Sequence, residues 1–291
     1  DDSTPPMITC PNSVTIECTA STLPGNTGSA TATDNCDAIP SVTFTDITTA
    51  SQTCPQEYTI TRTWKATDDC GNMNTCNQII LVDDSTPPVI TCPNNVTIEC
   101  TASTLPGNTG SATATDNCDK DVQITVSEKT LAGPCPQAKV IERTYIATDD
   151  CGNTATCKQK ITVVDTKAPV IIGVPANITV ECNAIPSVPN ISTIKAADDC
   201  DNNPTITFNE SVESGKCPYT ITRTWTAVDG CGNSTARMQV ITVFDNSAPL
   251  ISGVPADVTV DLDKGGVIPG LPNVTASDNC DKNVQIKFSV T

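Results

Sequence analysis

Two residue types in this chain have the chemistry and the fixed spacing to build a site: aspartates and cysteines. One loop reads Asp34-Asn35-Cys36-Asp37 and returns as Asp116-Asn117-Cys118-Asp119, Asp198-Asp199-Cys200-Asp201 and Asp278-Asn279-Cys280-Asp281. A second reads Asp68-Asp69-Cys70-Gly71-Asn72 and returns as Asp149-Asp150-Cys151-Gly152-Asn153 and Asp229-Gly230-Cys231-Gly232-Asn233. A third aspartate recurs four residues before a proline, at Asp2, Asp84, Asp165 and Asp245. Carboxylates, amides and carbonyls at this density suit a hard divalent cation, since calcium takes roughly six to eight oxygen ligands. The candidate calcium ligands are Asp2, Asp34, Asp37, Asp68, Asp69, Asp84, Asp116, Asp119, Asp149, Asp150, Asp165, Asp198, Asp201, Asp229, Asp245, Asp278 and Asp281. The same residues also read as turn formers whose side chains bond local backbone amides. Gly71, Gly152 and Gly232 fit that reading as positive-φ residues. The motif is not an EF-hand loop, and both readings stand at this point.

Other chemistry is disfavoured. With no histidine in 291 residues, neither a Ser-His nor a Cys-His nucleophile is available. Paired carboxylates act on glycosides in some enzymes, but here they recur at one position in every copy, as structural devices do. No enzyme is expected. A balance of 16 basic and 33 acidic side chains, net charge −17, argues against nucleic acid and anionic membrane surfaces. No apolar run is long enough to span a bilayer. The 17 cysteines imply an oxidising, extracellular compartment, and without histidines or CxxC pairs they do not read as zinc sites.

The elements that hold these loops come in repeats. TCPNSVTIECTASTLPGNTGSATATDNCD (9–37) returns almost unchanged at 91–119, and looser copies follow at 175–201 and 255–281. Cys18, Cys100 and Cys182 are 82 residues apart, as are Cys36, Cys118 and Cys200. The expected organisation is repeat 1 at 1–83, repeat 2 at 84–164, repeat 3 at 165–244 and the first half of repeat 4 at 245–291. Joints such as Val82-Asp83-Asp84-Ser85-Thr86-Pro87-Pro88 are short and stiffened by proline, which predicts a rod. The sequence starts and stops in mid-pattern, so a segment of a longer chain is expected.

Period-two alternation in Val14–Glu17, Val42–Thr45, Tyr58–Trp64 and Gln78–Val82 predicts strands. The fold expected is all-β: tandem immunoglobulin-like β-sandwich modules. The longest strand, 57–67, would reach ~36 Å at ~3.3 Å per residue. Trp64, Tyr145 and Trp225 read as core aromatics, with the stems of Arg62, Arg143 and Arg223 packed beside them.

Repeats 1 and 2 carry six cysteines each and repeat 3 carries four. The two missing from repeat 3 are the counterparts of Cys10, near Gly173, and of Cys76, at Arg237, so Cys10–Cys76 and Cys92–Cys157 are expected to pair. In repeat 4 the counterpart of Cys18 is Leu262 while Cys280 is kept, which argues against Cys18–Cys36. Two patterns remain, Cys18–Cys54 with Cys36–Cys70, or Cys18–Cys70 with Cys36–Cys54. End-loop proximity in a sandwich favours the first, hence Cys18–Cys54, Cys36–Cys70, Cys100–Cys135, Cys118–Cys151, Cys182–Cys217 and Cys200–Cys231. A bridge closing about 67 residues is worth roughly 4 kcal/mol in the chain-entropy model.

The run DxxxPPxIxCPxNxTIEC…ATDNCD…CP…RTW-ATDxCGN…ITVVD resembles the hyalin-repeat (HYR) family of immunoglobulin-like modules. Its six-cysteine form is similar to repeats of large secreted Bacteroidetes surface proteins, including gliding-motility adhesins. The resemblance implies a secreted cell-surface location and a role as the stalk of an adhesin. Its partners would then be the neighbouring modules of the same chain. Alternatives are a segment of a self-assembling extracellular filament, or a carbohydrate-binding module with surface glycans as partners. Nine aromatics in the whole chain leave few for stacking on sugars. N-x-S/T sequons occur at Asn95, Asn177, Asn190, Asn209, Asn233 and Asn273.

Overall fold

The structure, a computed structural model, describes residues 1–213, 217–260, 270 and 273–289. Repeat 1 forms six strands: β1 (Met7–Thr9), β2 (Val14–Glu17), β3 (Thr31–Thr33), β4 (Ser41–Ala50), β5 (Tyr58–Thr67) and β6 (Met73–Asp83). Repeat 2 supplies β7 (Val89–Thr91), β8 (Val96–Glu99), β9 (Thr113–Thr115), β10 (Gln123–Ala132), β11 (Lys139–Thr148) and β12 (Thr154–Val164). Repeat 3 supplies β13 (Val170–Ile172), β14 (Ile178–Glu181), β15 (Lys195–Ala197), β16 (Thr205–Glu213), β17 (Tyr219–Val228) and β18 (Ser234–Phe244). In repeat 4, β19 (Leu250–Ser252) pairs with β20 (Thr275–Ser277).

Each full set repeats one topology. In repeat 1 a four-stranded sheet runs in the order β2-β6-β5-β4 and faces a small antiparallel β1-β3 ladder. The long strands β4, β5 and β6 are antiparallel neighbours, whereas β2 joins the far edge parallel to β6, with Val14 opposite Ile80 and Glu17 opposite Asp83. The chain is therefore all-β, built as tandem two-layer sandwiches.

The alternation explains which face is buried. Ile60, Arg62, Trp64 and Ala66 of β5, with Gln78, Ile80 and Val82 of β6, all point inward and are buried. Ile60, Ile80 and Val82 cluster with Val14, Ile16, Cys18 and Tyr58 toward the end where β6 leaves the repeat. In repeat 3, Trp225 and Ala227 cluster with Ile171 and Ile194 under the small ladder, at the other end. Repeat 3 also carries the first kind of cluster, built on Ile221, Ile241 and Val243, so its apolar core is split in two.

A buried polar knot lies at the level of Arg62. Its guanidinium grips Asp46 through Nε and Nη2 at 2.8 and 2.9 Å, and donates to the Thr27 hydroxyl at 3.0 Å and the Thr22 carbonyl at 2.7 Å. Gln78 Nε2 donates to the Thr27 carbonyl at 2.6 Å, and Trp64 Nε1 donates to Gln78 Oε1 at 3.3 Å. Arg143 repeats the pattern with Glu128, Thr109 and Thr104, and Arg223 with Glu210, Ser187 and Pro186. The arginine is the centre of a hydrogen-bonded tie between the long sheet and the 22–27 segment. The guanidinium itself also lies over rings, with Cζ 4.4 Å from the Phe44 centroid and 5.7 Å from that of Trp64.

By its contacts the chain divides into two units, one comprising Asp1–Pro134 and Ala138–Val164, the other Cys135–Gln137 and Asp165–Thr291. Within the first unit, repeats 1 and 2 meet through the linker that follows β6.

Candidate functional site

The chemistry-bearing residues gather at the two ends of each sandwich. Both acidic loops sit at the leading end, beside the incoming linker. Asn72 Nδ2 donates to the Asp2 carbonyl at 3.0 Å, Asn153 Nδ2 to that of Asp84 at 2.8 Å, and Asn233 Nδ2 to that of Asp165 at 3.1 Å. At the trailing end, β2 delivers Glu17 and Cys18. The Cys18 amide donates to the carbonyl of Asp83, the last residue of β6, at 2.8 Å. Cys54 lies in the turn between β4 and β5.

The linker between repeats 1 and 2 is therefore clamped from both sides. Glu17 accepts from the Thr86 hydroxyl at 2.7 Å, the Ser85 hydroxyl at 3.0 Å and Asn117 Nδ2 at 3.1 Å. Chiefly the Thr86 bond, opposed by partial burial and aided by Asn117 and Ser85, lowers the Glu17 pKa to about 2.

Disulfides close the same joint. Cys18 bonds Cys118 with Cα atoms 6.0 Å apart, and Cys54 bonds Cys151 at 4.6 Å. In the second unit Cys135 bonds Cys231 at 5.0 Å and Cys182 bonds Cys280 at 5.7 Å. These pairs replace Cys18–Cys54, Cys100–Cys135, Cys118–Cys151, Cys182–Cys217 and Cys200–Cys231. Cys36–Cys70 is not formed either: Cys36, Cys70 and Cys217 are free and exposed, while Cys100 and Cys200 are disulfide-bonded. The physical reason lies in the repeat itself. Equal spacing makes a pairing within one repeat indistinguishable from one with the next, and the linker brings a trailing-end thiol and the next leading-end thiol to one place. Cys280 accordingly pairs backward with Cys182; Leu262, the counterpart of Cys18 in repeat 4, lies outside the described residues. Cys10 bonds Cys76 and Cys92 bonds Cys157, at Cα separations of 6.0 and 5.8 Å, each within one sandwich.

The carboxylates divide into two groups. Most hold turns. Asp68 accepts from the Cys70 and Asn72 amides and from Asn72 Nδ2 at 2.8–3.0 Å, and Asp149 and Asp229 do the same in their loops. Oδ1 of Asp34, Asp116, Asp198 and Asp278 accepts the amides two and three residues on. Asp119 and Asp201 spend their second oxygen on the Asp150 and Gly230 amides, and Asp2 Oδ1 accepts from the Thr4 amide.

Asp84 differs. It is 3% exposed, and both its oxygens, like Oδ2 of Asp116, are buried without a hydrogen-bond partner. Asp84 and Asp116 each bring a carboxylate oxygen within 4.8 Å of the other and of the Cys118 sulfur, which is committed to its disulfide. Burial first, then the charges of Asp116 and Asp149, push the Asp84 carboxyl up to about 6. The three orphaned oxygens are hard donors of the type a divalent cation takes, fewer than the roughly six to eight of a full calcium shell. Asp165 and Asp198 form the matching cluster with Cys200, and Glu181 and Asp245 one with Cys280. Asp37, Asp69, Asp119, Asp150, Asp201 and Asp281 do not belong to the three clusters just described.

Sequence reasoning missed Glu17, Asn117 and Gln78, all of which lock the architecture. The available signal was their recurrence, as in Glu17, Glu99 and Glu181 of the TIEC and TVEC segments.

Residues 83–163 match the HYR domain family profile. No curated protein shows significant sequence similarity to the chain. Among solved structures, Drosophila N-cadherin EC1-4 aligns over 83% of this chain and 76% of its own, at 12% identity and a TM-score of 0.27. Protocadherin Gamma B2 extracellular cadherin domains 3-6 align over 89% and 77%, at 13% and 0.30. Human CDH23 EC21-23 aligns over 82% and 100%, at 12% and 0.31. At such TM-scores these likenesses carry no functional argument.

Proposed function

We propose that the chain is an extracellular, non-catalytic spacer of a cell-surface adhesin, secreted and built to transmit position and force along a series of covalently coupled repeats. The observation that carries this reading is the joint between repeats 1 and 2. There Cys18–Cys118 and Cys54–Cys151 flank a linker already bonded to Glu17 on one side and Asn153 on the other. A single tether would let neighbouring sandwiches swivel; two bridges on different edges oppose rotation about either one. Bridges of sequence separation 100 and 97 each constrain the unfolded chain by roughly 4–5 kcal/mol in the entropy model, less where their loops overlap. The HYR match over repeat 2 supports assignment to adhesion-type repeats, and the gliding-adhesin resemblance of the cysteine pattern supports an adhesive surface context.

Calcium belongs to the same proposal. Asp84 and Asp116 would hold it at the joint, with Asp165–Asp198 and Asp245 in equivalent places. Bound there, the ion supplies positive charge that neutralises crowded carboxylates and fixes the linker against the leading end. Deleting one repeat from the intact adhesin should shorten its reach and leave adhesion to its target unchanged. Loss of adhesion on deleting any single repeat would refute a spacer role. Binding of the 291-residue chain on a glycan array would favour a carbohydrate-binding module instead.

A further inference from the structure

The joint between repeats 1 and 2 has an unpaired counterpart at the leading end of repeat 1. Cys36 and Cys70 stand where Cys118 and Cys151 stand in repeat 2, yet both are free and exposed. Their surroundings are built as in the occupied joint. Asn35 Nδ2 lies 3.2 Å from the Cys36 sulfur, as Asn117 Nδ2 lies 3.1 Å from that of Cys118. Asn72 holds the Asp2 carbonyl as Asn153 holds that of Asp84. A shallow groove lined by Thr4, Pro5, Met7, Thr33, Asp34 and Asn35 opens beside Cys36.

We infer that Cys36 and Cys70 form a two-thiol docking face for the trailing end of another repeat of this type, one that presents a Cys18-type and a Cys54-type thiol with a Glu17-type carboxylate. The occupied joint fixes the pairing: the Cys18-type thiol bonds Cys36, and the Cys54-type thiol bonds Cys70. Asn35 then meets the incoming glutamate as Asn117 meets Glu17 at 3.1 Å. A second copy of this chain does not meet the requirement. Its Cys18, Cys54, Cys135 and Cys182 are consumed, and of its trailing-end thiols only Cys217 is free. Cys217 is the complementary half, a Cys54-type thiol that takes one Cys70-type thiol. Each bridge formed releases two protons and two electrons; a small-molecule disulfide such as oxidised glutathione accepts the electrons and is reduced to two thiols. The inference extends the spacer reading and does not depend on a cation.

The test extends the full chain. A second copy of residues 1–83 is placed directly before Asp1, the protein is refolded in a glutathione redox buffer, and non-reduced peptides are mapped by mass spectrometry. The expected crosslinks join Cys36 to the added Cys18 counterpart and Cys70 to the added Cys54 counterpart, with neither Cys36 nor Cys70 alkylated. A Cys36–Cys70 crosslink, or both thiols remaining alkylatable, overturns the inference. The same digest reports Cys18–Cys118 and Cys54–Cys151. If those are present while Cys36 and Cys70 stay free, docking alone fails; if they are absent too, the covalent joint fails with it.

Discussion

Replacing Asp84 by asparagine should stabilise the cation-free protein and abolish its response to calcium. Asp84 is 3% exposed, its two oxygens have no hydrogen-bond partner, and its pKa is pushed up to about 6 from 3.8. A carboxyl that holds its proton more tightly folded than unfolded costs stability once both states ionise. Stability falls as pH rises from about 4 to about 6, and two units correspond to at most ~3 kcal/mol at pH 7. Asp84→Asn removes that cost while keeping the shape, so the melting temperature of the first unit, non-reduced and in chelator, should rise by several degrees. Other carboxylates titrate in the same window, so the measured quantity is the difference between wild type and variant across pH 4–7. That difference should grow with pH in chelator and vanish or reverse in millimolar calcium, where only the wild type gains. A variant that melts below the wild type in chelator, or a difference that does not change between pH 4 and 6, would refute the account of Asp84 as an uncompensated buried charge.

Glu17 titrates in the opposite sense. Its pKa, lowered to about 2 from 4.5, contributes stability that is fully present above about 4.5 and is lost as pH falls toward 2. Glu17 is partly solvated, so Glu17→Gln should cost only about 1 kcal/mol at neutral pH and nearly nothing at pH 2, read as faster hydrogen exchange in peptides covering the 84–88 linker. In the core, Asp46→Ala strands a buried guanidinium and should cost roughly 3–5 kcal/mol, whereas Asp46→Glu should cost under about 1 kcal/mol because Glu128 and Glu210 do the same work opposite Arg143 and Arg223. Hydrogen exchange in β4 and β5 separates the two; equal protection loss in both variants would contradict the proposed grip.

The fold was legible because alternation is a local signal: Ile60, Trp64 and Ala66 announce the inward face of β5 without reference to any other strand. The turn reading of the acidic loops was legible too, since Asp68 and Asp34 bond amides within four residues. The partners of the inward arginine were not, because Thr22, Thr27 and Asp46 lie 16–40 residues from Arg62 and nothing in their spacing marks them. Cys10–Cys76 and Cys92–Cys157 were legible from their paired loss in repeat 3, but the disulfide partners at the joints were illegible for a different reason. Translational symmetry gives Cys18 the same relation to Cys36 as to Cys118, and only the path of the linker breaks that equivalence. Asp84 stands apart from the other aspartates only in three dimensions, where burial leaves it without a donor.

The most direct test of the covalent joint is a disulfide map of the 291-residue chain, digested without reduction after its free thiols have been alkylated. The account predicts crosslinked peptides joining Cys18 to Cys118 and Cys54 to Cys151, with Cys36, Cys70 and Cys217 recovered in alkylated form. Crosslinks confined to single repeats, Cys18 to Cys54 and Cys118 to Cys151, would contradict it and return the linker to a plain proline hinge.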